Sequence, residues 1–176
     1  VNNYEIKFPK DADVQCGTPS ADTLVLNRLA CDQLSVSVNE ERFSAVGNEC
    51  YRIFRTYRVI NFCEYDGVSQ PIIIGRDEDC DNAAGDENVW VVRRPGNTFI
   101  DRNNVETDNI PAANQRSCTP NNPRGYWRTA SSIGYWQYTQ IIRVFDTIPP
   151  DLIFSNPTPF CATADDCRTQ VRVPFI

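Results

Sequence analysis

The chain has 176 residues and a mass of 20.0 kDa, and 41% of it is apolar and 11% aromatic, which excludes wholesale disorder. Its formal charge is −6, and its 17 cations, all Arg except Lys7 and Lys10, are scattered; nucleic-acid binding needs clustered cations, so that class is argued against. There is no histidine, which removes Ser-His-Asp and Cys-His nucleophile pairs, the HExxH zinc site and imidazole acid–base chemistry near neutral pH. The longest apolar run, Val89 to Val92, is too short to span a membrane. No signal peptide is visible and the chain starts at Val1 without any Met, so it reads as a processed chain or a piece of a longer one.

A period of two dominates the sequence and helical periodicity is nearly absent. The first expected strands are Tyr4–Phe8, Thr23–Leu29 and Leu34–Val38. A long strand follows, with Tyr51, Ile53, Arg55, Tyr57 and Val59 on one face and Arg52, Phe54, Thr56, Arg58 and Ile60 on the other. From Glu64 to Ile133 this rhythm lapses into Asp, Asn, Gly and Arg, broken only by two short expected strands, Ile72–Ile74 and Val89–Arg93. A compact sandwich has no use for so long an irregular connection, so the stretch reads as an insertion. The alternation resumes with Trp136, Tyr138, Gln140, Ile142 and Val144 on one face, and Gln137, Thr139 and Arg143 opposite. At Asp146-Thr147-Ile148-Pro149-Pro150 two prolines stop strand pairing and mark a boundary. Beyond it, Leu152–Phe154 and Gln170–Ile176 are strand-like, but the tail is too short for a core of its own.

The expected architecture is therefore all-β: an immunoglobulin-like sandwich over residues 1–147 with an insertion at about 64–133. Residues 148–176 supply a linker and terminal strands that pair with a neighbouring module or subunit, with Gln170, Val171, Val173 and Ile176 in the assembly strand.

The 8 cysteines contain no CxxC pair, and no histidine is present to complete a mixed zinc site. An even count at wide spacing fits disulfides in an oxidising, extracellular compartment. Cys50 and Cys63 bracket a strand about 40 Å long when extended, so they do not pair with each other. The expected pairs are Cys31–Cys63, Cys80–Cys118 within the insertion, Cys161–Cys167 closing a small loop, and Cys16–Cys50 by exclusion.

Three groups of residues carry candidate chemistry. Asp77, Asp79 and Asp81 alternate, with Asp86 nearby, as hard oxygens do in a calcium loop; Asn82 and Asn88 stand where such a loop wants Gly and Glu, so a solvated acidic loop is the competing reading. Trp90, Tyr126, Trp127 and Trp136 could stack on sugar rings of a surface glycan if exposed together, whereas aromatics of a sandwich usually fill its core. The arginines of the strand faces, Arg52, Arg58 and Arg143, are expected to pair with acids across strands, the alternative being a guanidinium cluster for an anionic glycan. Carboxylate-pair hydrolysis survives the absence of histidine, but no pair is singled out by its surroundings, and no enzyme is expected.

The run Cys50-Tyr51-Arg52-Ile53-Phe54-Arg55-Thr56-Tyr57-Arg58-Val59-Ile60-Asn61-Phe62-Cys63 resembles a strand of hyalin-repeat-type (HYR-like), immunoglobulin-like modules. More closely it resembles those strung along very large surface proteins of Bacteroidota-type bacteria. Gly134-Tyr135-Trp136-Gln137-Tyr138-Thr139-Gln140-Ile141-Ile142-Arg143-Val144-Phe145, with the following Asp146-Thr147-Ile148-Pro149-Pro150, resembles the last strand and linker of such a module. Cys161 to Ile176 looks like the first strands of the next one, and the long middle stretch departs from the short HYR pattern. Asp22-Thr23-Leu24 and Asp146-Thr147-Ile148 resemble the O-glycosylation signal of the same bacterial group, which implies glycans on Thr23 and Thr147. The resemblance implies a structural module of a surface fibre, filament or adhesin stalk, built by tandem repetition or by strand exchange between copies. The alternative from another class is a glycan-binding module using the Trp/Tyr cluster, with calcium.

Overall fold

The computed structural model describes residues 1–16, 21–30, 32–44, 49–78, 82–101, 128–129 and 131–146, and among these there is no helix. The strands in chain order are β1 Tyr4–Phe8, β2 Ala12–Gln15, β3 Val25–Arg28, β4 Leu34–Ser44, β5 Glu49–Asn61, β6 Ile72–Ile73, β7 Val89–Arg94, β8 Asn97–Asp101, β9 Arg128–Thr129 and β10 Tyr135–Phe145. They form two sheets, an all-β sandwich as expected. The first runs β3-β1-β7-β8-β9; the second runs β2-β10-β5-β4, with β6 also against β10. The pairings are antiparallel except that β2 and β6 lie parallel to β10, β6 at its start and β2 at its end.

The alternation read along the two long strands is the register of the second sheet. Trp136 faces Val59, Tyr138 faces Tyr57 and Ile142 faces Ile53 across the β5–β10 pair. Trp136, Tyr138, Tyr57 and Val59 point inward and meet Tyr4, Ile6 and Phe8 of β1, Val89 and Val91 of β7, and Ile100 of β8 in one buried cluster. Phe8 and Tyr138 stack with ring centroids 4.9 Å apart. Each such side chain contributes on the order of 1.5–3 kcal/mol by leaving water. β-branched and aromatic residues at every second position are why these segments are strands at all.

One end of the core is closed by polar pegs. Trp136 Nε1 donates to the Tyr4 hydroxyl at 3.1 Å, the hydroxyl donates to Glu64 at 3.0 Å, and Arg93 Nε donates to the other Glu64 oxygen at 2.9 Å. Beside them Asp32 accepts from the Asn61 side chain and the Asn3 backbone, both at 2.8 Å. The chain can reach this arrangement because Gly134 turns at φ +66°, where a Cβ would stand 2.8 Å from Glu64 Cβ and 3.0 Å from the Tyr65 nitrogen.

The strands depart from expectation in three places. β4 continues from Val38 to Ser44, because β5 offers a pairing partner along that whole length and overrides the polar composition of Asn39–Ser44. β2, a short Ala-Asp-Val-Gln segment, lacks the apolar alternation that would mark it and is held by its pairing with β10. Within the stretch 64–133, read as an irregular insertion, the expected strands at Ile72 and Val89 are present as β6 and β7, but β8 and β9 were not expected, and β7 stands at the centre of the first sheet with Val89 and Val91 in the core. β7 and β8 are joined by Pro95-Gly96, with Gly96 at φ +81°, the conformation a type II turn requires at its third position. The linker and the terminal strands of 148–176 lie outside the described residues.

Candidate functional site

Among the described residues, the two sheets leave one side of the sandwich open. β3 ends the first sheet and β4 ends the second, and between them lies an apolar groove of about 580 Å³. Leu24 and Leu26 form one wall, Val36 and Val38 the other, and Tyr57 the floor, with Thr23, Glu40 and Arg55 at the rim. Val36 and Val38 are 38% and 51% exposed on the wall strand. Tyr57 is fixed from beneath, its hydroxyl donating to Gln140 Oε1 at 3.2 Å. Burial pushes that hydroxyl up, while the neighbouring Arg55 lowers it. Gln140, fully buried, donates in turn to the Lys10 and Asp22 carbonyls at 2.7 and 3.3 Å, so the segments leading into β2 and β3 are tied to the groove floor.

The groove is lipped by an unpaired ladder. Among the described residues no strand pairs with the outer side of β4, whose 11 residues are exposed after Leu34. Such an edge offers a row of backbone donors and acceptors to an incoming strand. Its two halves differ: Ser35–Asn39 is uncharged, with Val36 and Val38 alternating with small polar residues, while Glu40, Glu41 and Arg42 are charged. Arg55 Nε donates to Glu40 at 2.5 Å and the Arg42 guanidinium lies 3.5 Å over the Tyr51 ring, so the charged half is occupied within its own sheet. On the outer face, Phe43, 48% exposed, meets Phe54 edge to face at 5.1 Å. The chemistry available here is recognition by backbone hydrogen bonds and apolar contact.

The residues singled out from the sequence are dispersed. Trp136 cannot stack on a sugar: its ring is fully buried, because its position on the inward face of β10 places it under β1. Trp90 lies half-buried on the opposite face of the first sheet with Lys7 Nζ 5.7 Å above its ring, and Tyr126 and Trp127 lie outside the described residues. Of the acidic loop, Asp77 accepts from the Asn82 backbone at 3.2 Å and Asp86 lines a separate cleft of about 620 Å³ with Lys10, Asp11, Asp13 and Arg143. Asp79 and Asp81 fall outside the described residues, and among those described no three His, Cys, Asp or Glu gather as a metal site.

The arginines divide. Arg143 pairs across strands with Asp13 at 2.7 Å as expected, but Arg52 pairs with Glu49 on its own strand and Arg58 donates to Gln137 at 2.8 Å. Thr23 is exposed at the groove rim; Thr147 lies outside the described residues. Of the expected disulfides, Cys31–Cys63, Cys80–Cys118 and Cys161–Cys167 each include a residue outside that set, while Cys16 and Cys50 are both described and both carry free thiols here. The assembly strand Gln170–Ile176 is likewise outside it.

The groove was not foreseen from the sequence. Its signal was present in the exposed alternation of Val36 and Val38 beside polar neighbours, but which strand ends a sheet depends on long-range pairing. No protein-family model, curated protein or solved structure matches the chain.

Proposed function

We propose that this chain is a structural module of an extracellular surface fibre, filament or adhesin stalk, and that its units join by strand addition along β4. The observation that carries this reading is the long edge of β4, unpaired among the described residues and set beside an apolar groove. A strand laid there completes the ladder with its backbone and fills the groove with alternate side chains. Val171, Val173 and Phe175 of the Gln170–Ile176 segment alternate in the required way, so the incoming strand is assigned to the tail of a neighbouring copy. The charged Glu40–Arg42 half limits where it pairs and protects the edge from indiscriminate association. The resemblance of 50–63 and 134–150 to HYR-like modules and the even cysteine count support an extracellular setting.

Electron cryo-microscopy of the native material tests this. The expected result is a filament whose rise matches one unit, with an added strand along Ser35–Asn39, lost on Val38→Lys substitution in the groove wall. Discrete monomers with β4 bare at high concentration would overturn it.

A further inference from the structure

β10 is flanked by β2 on one side and β5 on the other, so residues of those two strands are ordinarily separated by two strand spacings, roughly 9–10 Å, too far for a disulfide. At the end of β10 two local features remove that separation. The β5–β10 register jumps there: Val144 faces Tyr51 but Phe145 faces Glu49, leaving Cys50 as the extra residue of a β-bulge. A bulge bends its strand and re-aims the extra side chain. On the other side, Cys16 follows β2 in a turn, its N–H donating to the Phe145 carbonyl at 2.7 Å. The outcome is that the two thiols lie within hydrogen-bonding reach of each other, over the last described residue, Asp146.

We propose that Cys16 and Cys50 are a disulfide site, bridging the end of β2 to the start of β5 across the end of β10. The two thiols release two protons and two electrons and gain one Sγ–Sγ bond. The oxidant is an organic disulfide of the glutathione class, whose own S–S bond breaks to give two thiols through a mixed-disulfide intermediate. Cys50 is exposed and meets the oxidant; Cys16, half-buried beside it, resolves the mixed disulfide. Cys63 is at the far end of β5 and does not compete for either partner. The Cys50 thiol is pushed up by desolvation first, then by its hydrogen bond to Cys16 and by the charges of Cys16 and Asp146. The bridge encloses residues 17–49, and with them β3 and β4, so it holds both walls of the groove in one covalent loop.

The test is peptide mapping of the full chain after equilibration with oxidised and reduced glutathione, alkylation and digestion without reductant. The expected product is a Cys16 peptide joined to a Cys50 peptide; in Cys50→Ser, Cys16 becomes alkylated and Tm falls by roughly 5–15 °C, given the length of the enclosed loop. The proposal is overturned if Cys16 and Cys50 are both alkylated while other cysteines are oxidised, or if either is joined to a different cysteine. It stands or falls independently of filament formation.

Discussion

β4 and β10 lie on either side of β5 and each is 11 residues long; β10 alternates apolar and polar side chains over most of its length, and β4 does so from Leu34 to Val38. β10 is nevertheless buried at every second position from Trp136 to Val144, while β4 is exposed from Ser35 onward. Alternation states which face of a strand is apolar. Whether anything lies over that face depends on where the strand falls in its sheet and how far the opposite sheet extends. Val59 and Val36 make the point at closest range: they are register partners on adjacent strands, yet one is sealed and the other 38% exposed.

Substitutions can break this contrast or sharpen it. Trp136→Ala removes the largest buried side chain among the described residues together with its hydrogen bond to Tyr4, and is expected to destabilise by about 3–5 kcal/mol in denaturant titration. Val59→Ala should cost about 1.5–3 kcal/mol, whereas Val38→Ala, on the exposed strand, should stay within about 0.5 kcal/mol. Equal losses at the two sites would mean that the groove is filled in the isolated chain. Between these, Gly134→Ala places a Cβ against the Glu64 side chain and the Tyr65 backbone at a left-handed φ, a change expected to cost about 1–3 kcal/mol. Far-ultraviolet circular dichroism would separate lost stability from lost structure.

The smallest effect concerns the surface turn after β5. Asp66 accepts from the Ser69 hydroxyl and from the Ser69 and Val68 N–H groups, which hold its carboxyl below the usual range, the Ser69 hydroxyl most of all. The folded value is thus below the unfolded one of about 3.9. Its contribution is complete above the unfolded value and is lost as pH falls through the folded one. Asp66→Asn should flatten that part of the acid limb by removing the small contribution at neutral pH, so that the two proteins converge in stability at low pH; carboxyl titration by NMR would check it.

Much of the second sheet was legible in the sequence, since Tyr51–Val59 and Trp136–Phe145 carry their alternation openly and do pair in register. Tyr4–Phe8 was equally plain. β8 was missed because Asn97–Asp101 has only Phe99 and Ile100 to mark it, and it is a strand because β7 pairs with it across the Pro95-Gly96 turn. The site was legible only in fragments. Trp136 reads both as a stacking platform and as a core residue; its place on the apolar face of its strand favours the core, while its position under β1 is a three-dimensional fact. The Cys16–Cys50 pair was expected only by exclusion; the bulge at Cys50 and the turn at Cys16 that bring the two together are announced by no spacing rule.

The parallel pairing of β2 with β10 has a mechanical consequence. Ala12 faces Ile142 and Gln15 faces Phe145, so both strands point the same way along four register pairs. Tension reaching β2 from the chain before it pulls backward along that direction, and tension on the chain after β10 pulls forward. The two strands are then drawn past each other in shear, and their hydrogen bonds must yield together rather than one after another. A module strung between neighbours in this way resists stretching far better than one whose terminal strands peel apart like a zip.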